Sequence, residues 1–213
     1  MVKGKGDYSP ASCIIFHYMK KLRTPLSVDD IKSLKLGETV YLSGLLYTAR
    51  DKAHIHMLDY LKRGEKLPFE LSGAAVYHCG PIMENRDGHW KVVAAGPTTS
   101  ARMNFAWEII GTGIRAILGK GGMDARNKEE MKKHGCVYLA STGGAAVLAA
   151  RGMKEVKAQH WPDLGMAESV WVIEADDFGP LIVAMDAEGN SIYDNVDREV
   201  ETNLPAIRAK LGI

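Results

Sequence analysis

Hydrophobic positions change their period several times along the chain, and each change marks an element. Ser27-Val-Asp-Asp-Ile31 reads as a short helix running to about Lys35: Ser27 supplies an N-cap, Asp29 and Asp30 sit in the first turn, and Gly37 stops it. Thr39 to Tyr47 alternates and is rich in β-formers, which predicts a strand. Ala53, Met57 and Leu61 then recur four apart, which predicts a helix from Arg50 to Arg63. Three short apolar runs, Ala74 to Tyr77, Val92 to Ala95 and Arg115 to Leu118, read as strands, with a helix from Ser100 to Ile110 between the last two. A helix from Asp124 to His134 ends at Gly135, Cys136 to Ala140 reads as a strand, and Gly143 to Ala150 as a helix of small residues. Ser169 to Glu174 and Pro180 to Met185 predict a strand pair, Glu188-Gly-Asn190 a turn, and Pro205 to Leu211 a short terminal helix. Alternating strands and helices imply parallel pairing, so the fold class is α/β, with mixed sheet layers and flanking helices.

Composition narrows the function by exclusion. The chain has 213 residues, 46% hydrophobic and 25% charged, which suits a folded domain with a real core. Lys+Arg 27 against Asp+Glu 26 leaves a net charge of +1, so composition favours no nucleic acid partner. Cys13, Cys79 and Cys136 are odd in number and far apart, without metal-ligand spacing, which points to a reducing compartment. The apolar runs are too short to span a membrane and no signal-type segment follows the basic start, so the expected location is cytoplasmic. Residues 1 to 18 read as an extension, with Ser12 to Phe16 as a possible short strand, ahead of a single domain over residues 19 to 213.

Candidate chemistry gathers at three strand-to-helix junctions. In Gly96-Pro-Thr-Thr-Ser-Ala-Arg-Met103 the strand is broken by Gly-Pro, and Thr98, Thr99 and Ser100 stand where unpaired helical N–H groups can cradle an anion. Arg102 falls in the first helical turn, where a cation is disfavoured unless an anionic partner is near. Leu118-Gly-Lys-Gly-Gly-Met123 presents Lys120 at the carboxyl end of a strand, the usual ligand rim of α/β sheets, without P-loop spacing. Tyr47-Thr-Ala-Arg-Asp-Lys-Ala-His54 places Arg50 and His54 on one helical face. Arg50, Arg102 and Lys120 at one rim would suit a small dicarboxylate, since a guanidinium clamps a carboxylate through two parallel hydrogen bonds. Tyr77-His-Cys-Gly-Pro81 is a weaker candidate for a nucleophilic cysteine, because adjacent strand residues face opposite ways and His78 cannot reach Cys79.

Taken together these segments resemble the β subunit of class I fumarate hydratase and L(+)-tartrate dehydratase. The motifs are Thr-Ala-Arg-Asp-x-x-His (48 to 54), Gly-Pro-Thr-Thr-Ser-x-Arg-Met (96 to 103), Gly-Lys-Gly-Gly-Met (119 to 123), Gly-Gly-Ala-Ala (143 to 146), Leu-Gly-Met-x-Glu-Ser-x-Trp (164 to 171) and Phe-Gly-Pro-Leu-Ile-Val (178 to 183). The resemblance implies a swivelling β/β/α domain and a hydro-lyase that interconverts fumarate and L-malate, or, as the alternative, dehydrates L-tartrate to oxaloacetate. It also implies a separate α subunit that holds a 4Fe–4S cluster with its own cysteines, and an assembly that is a homo-oligomer of the domain or of αβ pairs. Carried over, Arg50, Arg102 and Lys120 match substrate-carboxylate ligands, Thr98 and Thr99 match the paired threonines, Thr98 with Lys120 is the catalytic candidate, and His54 either orients Arg50 or touches substrate. Tyr77-His78-Cys79 stands where these fumarases often carry Tyr-Tyr, closer to the tartrate branch. A non-catalytic anion-binding module that kept the fold is the reading from another class.

Overall fold

A computed structural model describes residues 19–212, so residues 1 to 18, with their expected strand, lie outside the described residues. β1 (Lys20–Arg23) leads to α1 (Val28–Lys32), where Ser27 and Asp30 form a reciprocal capping box. β2 (Thr39–Thr48) and α2 (Asp51–Arg63) follow, then β3 (Ala75–Tyr77) and a hairpin of β4 (Ile82–Arg86) and β5 (His89–Ala94). A kinked 3₁₀ helix (Ser100–Thr112) precedes β6 (Ala116–Gly119), α3 (Ala125–His134), β7 (Val137–Ala140) and α4 (Ala146–Arg151). β8 (Met153–His160), a short 3₁₀ turn (Pro162–Leu164), β9 (Val170–Met185) and α5 (Ile192–Leu211) complete the chain.

The seven-stranded sheet runs β1-β2-β3-β6-β7-β9-β8, and β9 also pairs with β2, so β2, β3, β6, β7 and β9 close into a barrel-like ring. The first four of these strands are mutually parallel, as the alternation of strands and helices predicts, and β9 is antiparallel to both of its ring neighbours. Closure follows from the length of β9: its residues pair with β2 from Val172 to Ile182 on one side, and with β8 and then β7 on the other. Side-chain alternation sorts two cores. Val40, Leu42, Leu46, Ala75, Tyr77, Leu118, Val137, Leu139, Ile173 and Val183 form one cluster inside the ring. Val76, Ile117 and Tyr138, their neighbours of opposite parity, pack outward against Ala53 and Met57 of α2, Ile109 and Ile110 of the 3₁₀ helix, and Met131 of α3. Burying a leucine such as Leu42 or Leu46 completely contributes about 2 kcal/mol.

Several expectations are corrected. The strand pair expected at 169–174 and 180–185 is one strand, β9, because Phe178 stays buried between the halves and the ladder with β2 continues past the irregularity at Asp176–Asp177. Those aspartates are therefore an exposed bulge within a strand. The helix expected from Ser100 is 3₁₀ rather than α, and Gly143-Gly144 forms a turn before α4 instead of its first residues. The terminal helix spans 20 residues and carries Pro205 inside it. The layered sheet expected from the pattern is in fact closed on itself, with the helices and the β4–β5 hairpin around it. Among the described residues no helix is long and apolar enough to cross a membrane.

Candidate functional site

Because β2, β3, β6 and β7 are parallel, their carboxyl ends share one rim, and the segments that leave them carry the candidate residues. Thr48 ends β2 and is followed by Ala49 and Arg50; β3 is followed by His78 to Gly80; β6 by Lys120 to Gly122; β7 by Ser141 to Gly144. The loop Pro97 to Ser100 is laced between the ends of β3 and β6. Thr98 N–H donates to the His78 carbonyl at 2.6 Å, Lys120 N–H to the Thr98 carbonyl at 3.3 Å, and Ser100 N–H to the Lys120 carbonyl at 2.9 Å. Thr99 thus pairs in parallel with Lys120 as a one-residue extension of the sheet. Both side chains are exposed there, and the Lys120 ammonium reaches toward the Gly143 turn, lying 3.9 Å from where a Cβ on Gly143 would be. Thr98, Thr99 and Lys120 are therefore brought together by backbone pairing.

Arg50 and Arg102 meet on a carboxylate. Arg50 occupies the N-cap position of α2 in an extended conformation and provides no side-chain cap. Glu168 supplies one from a distant segment, accepting the Lys52 N–H at 3.0 Å, where the helix terminus favours negative charge. The same Glu168 carboxylate stands 3.5 Å from Arg50 Nε. Asp51 lies 4.0 Å from Arg50 Nε, accepts from Arg102 Nε at 3.1 Å, and has its other oxygen 3.0 Å from Arg102 Nη2. That last contact is Coulombic without hydrogen-bond alignment: among the described residues the buried Asp51 Oδ2 accepts no hydrogen bond, and the buried Arg50 Nε finds no acceptor. Gly80 is required beneath this pair: a Cβ there would stand 2.6 Å from Arg50 Cδ and Nη1. Asp51 and Glu168 were absent from the sequence-derived site. Their signal was present in the Arg-Asp pair and in the 164–171 motif, but spacing alone does not bring residue 168 to residue 50.

His54 lies behind Arg50 rather than on the open rim. It is 4% exposed, and its Nδ1 bonds the Arg50 carbonyl at 2.8 Å, which fixes the ring nitrogen as the donor. Burial lowers its pKa to about 4, against smaller opposing effects of the Arg50 carbonyl and Asp51, so the ring is neutral. Its edge meets His78 at a centroid distance of 5.0 Å. His78 is also buried, and its pKa falls well below the usual histidine value, first through desolvation and then through His54. Its Nδ1 is 2.9 Å from Ser100 Oγ, itself 2.9 Å from the Tyr138 hydroxyl. Ser100, expected as a cap, is instead the middle of this buried chain. Cys79 is fully buried beside it, and burial pushes its thiol up to about 12, so no thiolate nucleophile exists at neutral pH.

Cluster ligation does not suit these cysteines. Cys79 belongs to the core inside the ring and Cys136 to the core outside it, and burial holds both thiols protonated, Cys136 also being pushed up to about 12. Among the described residues no three His, Cys, Asp or Glu side chains gather as a metal-binding group. A cavity of about 480 Å³ lined by Lys32, Lys132, His134 and Glu188 lies at the opposite end of the barrel. At the rim Thr99, Arg102 and Lys120 are exposed, whereas Arg50 is half-buried.

A family model described as the fumarase C-terminus matches residues 17–196. The chain belongs to this fumarase C-terminal family. Among its relatives, the "Putative L(+)-tartrate dehydratase subunit beta" of Methanocaldococcus jannaschii is 50% identical over 182 residues, 84% of this chain and 93% of that protein. The "L(+)-tartrate dehydratase subunit beta" of Escherichia coli strain K12 is 41% identical over 177 residues, 82% of this chain and 87% of the relative. The "Putative fumarate hydratase class I" of Geobacillus stearothermophilus is 37% identical over 180 residues, 83% of this chain but 34% of that longer protein. These relatives are named as dehydratase subunits and as a hydratase.

Proposed function

We propose that this chain is the β subunit of a hydro-lyase that hydrates fumarate reversibly to L-malate and works only with an α subunit. The observation that carries the reading is the convergence of Arg50 and Arg102 on Asp51, on the same strand ends that bear Thr98, Thr99 and Lys120. Two guanidinium groups and an ammonium offer donors for two carboxylates, and a fixed fork holds a planar dicarboxylate in one register. The exposure of Thr99, Arg102 and Lys120 agrees with a site closed by a second polypeptide, and the closed sheet is read as the family's swivelling β/β/α domain.

Within that site Arg50 and Arg102 bind the carboxylates, and Asp51 and Glu168 keep the two guanidinium groups from drifting. In the dehydration direction the Thr98 oxygen takes the proton from the carbon next to the one that loses hydroxide, while an acid on the α subunit protonates the departing oxygen, so water and fumarate leave. A threonine hydroxyl is too weak a base alone at neutral pH, so its proton must first pass to solvent, and Lys120, on the neighbouring loop with its backbone N–H bonded to the Thr98 carbonyl, brings the ammonium that stabilises the alkoxide. A 4Fe–4S cluster on the α subunit is expected to supply a Lewis-acidic iron for the hydroxyl group.

A second reading, L(+)-tartrate dehydratase, is favoured by the names of the relatives at 50% and 41% identity. The Tyr77-His78-Cys79 departure adds little to it, because all three side chains are buried and His78 is already bonded to Ser100. Anaerobic co-expression with an α-type partner, followed by assays on both acids, decides between them. Hydration of fumarate supports the proposal, turnover of L-tartrate with no fumarate hydration replaces it, and turnover of neither by a cluster-loaded complex leaves an anion-binding module.

A further inference from the structure

α5 is built unlike every other helix of the chain. Among the described residues only its first turn touches the body: Ile192 and Tyr193 pack on the outer core, the Tyr193 ring lies 6.5 Å from that of Tyr138, and Asp194 pairs with Lys128. From residue 195 to 212 every residue is exposed, including Val196, Val200, Leu204, Ile207 and Leu211. At about 100° per residue these five apolar side chains fall within an arc of about 80°, a narrow stripe along a helix roughly 30 Å long. Pro205, inside the helix, lies on the opposite face, where its missing N–H leaves the stripe undisturbed. The family match ends at residue 196, so the stripe lies almost wholly beyond the part shared with the family.

We infer that α5 pairs antiparallel with α5 of a second copy of this chain. The charges select that occupant and that direction. Asp194, Asp197, Glu199 and Glu201 make the first half of the helix acidic, offset only by Arg198, whereas the second half carries Arg208 and Lys210 and no acid. With Leu204 against its own copy, Val196 faces Leu211 and Val200 faces Ile207, so every apolar residue of the stripe meets another. Glu199 and Lys210 flank the stripe on one side and Asp197 and Arg208 on the other. The same antiparallel register therefore sets Glu199 against Lys210 and Asp197 against Arg208 of the copy, whereas a parallel pair would set Glu199 against Asp197 and Lys210 against Arg208, like charge against like. Agreement of the apolar and charged pairs on one register is what a lone amphipathic helix would not show.

Light scattering and sedimentation of the full-length chain test this. A seam of this length is at the small end of stable interfaces, so the mass should pass from monomer to dimer between about 1 and 100 μM. Val200→Glu with Ile207→Glu should leave a monomer whose thermal unfolding matches that of the unaltered chain. Glu199→Lys alone and Lys210→Glu alone should each weaken the dimer by roughly tenfold or more, and the two together should restore it. A monomer at all concentrations, a dimer indifferent to the stripe substitutions, or a charge-reversed double variant no tighter than the single ones would overturn the inference. So would stripe variants that instead release a co-expressed α-type chain.

Discussion

Asp51 holds Arg102 by one hydrogen bond, from Nε at 3.1 Å, and one charge contact, with Nη2 at 3.0 Å, while standing one residue from Arg50. A carboxylate between two guanidinium groups costs the site some positive charge, and in return both forks are held in one geometry. Asp51→Asn keeps the shape and removes the charge. Arg102 is about half exposed, its side chain 55% accessible, so the ion pair itself contributes under about 1 kcal/mol to stability. Activity should suffer more: kcat/KM is expected to fall roughly 10- to 100-fold with little change in melting temperature. Equal losses of stability and activity would make Asp51 a structural residue only.

Arg102→Ala removes a group expected to touch substrate. Loss of a charge-assisted contact of about 1.5–3 kcal/mol corresponds to a fall in kcat/KM of about 10- to 150-fold, and Arg102→Lys should recover only part of it because an ammonium lacks the planar fork. The check is steady-state kinetics of the assembled enzyme. An unaltered rate for Arg102→Ala removes this residue from the site.

Gly80→Ala tests the seat of Arg50. The new Cβ would lie 2.6 Å from Arg50 Cδ and Nη1 and 2.8 Å from the Ala167 carbonyl, so side chain and backbone must both move. Overpacking of this kind costs about 1–3 kcal/mol, and the displaced guanidinium should lower kcat/KM further than that loss of stability explains. Chemical denaturation and kinetics on the same preparation separate the two effects.

The parallel strands and the rim they create were legible in the sequence, because short apolar runs alternated with helical patterns and each junction carried its cap or glycine. β8 was not: Met153-Lys-Glu-Val-Lys-Ala-Gln-His160 pairs with β9 and keeps its charges toward solvent, so the apolar signal is diluted. Barrel closure was hidden for another reason, since it depends on β9 remaining one strand through Asp176 and Asp177, where the apolar pattern is interrupted. At the site, local patterns carried Arg50, Thr98, Thr99, Arg102 and Lys120, each beside a strand end. Glu168 escaped because its relation to Arg50 spans more than a hundred residues and exists only after the ring has formed.

The buried histidines make stability depend on pH in a stated direction. In the unfolded chain His54 titrates near its ordinary value of 6.5, whereas in the folded protein burial lowers its pKa to about 4. A depressed pKa means that stability is fully present above 6.5 and is lost as pH falls toward 4, because only the unfolded state takes up the proton. The loss from His54 alone is on the order of 3 kcal/mol by about pH 4, and His78, shifted the same way, adds to it. Urea unfolding at a series of pH values between about 7.5 and 4.5 should show this decline. His54→Gln, which keeps an N–H donor for the Arg50 carbonyl but cannot titrate, should flatten the decline between pH 6.5 and 5, above the range where carboxylates dominate. Identical slopes for the two proteins would mean that His54 is already protonated when folded, and the neutral hydrogen bond behind Arg50 would have to be abandoned.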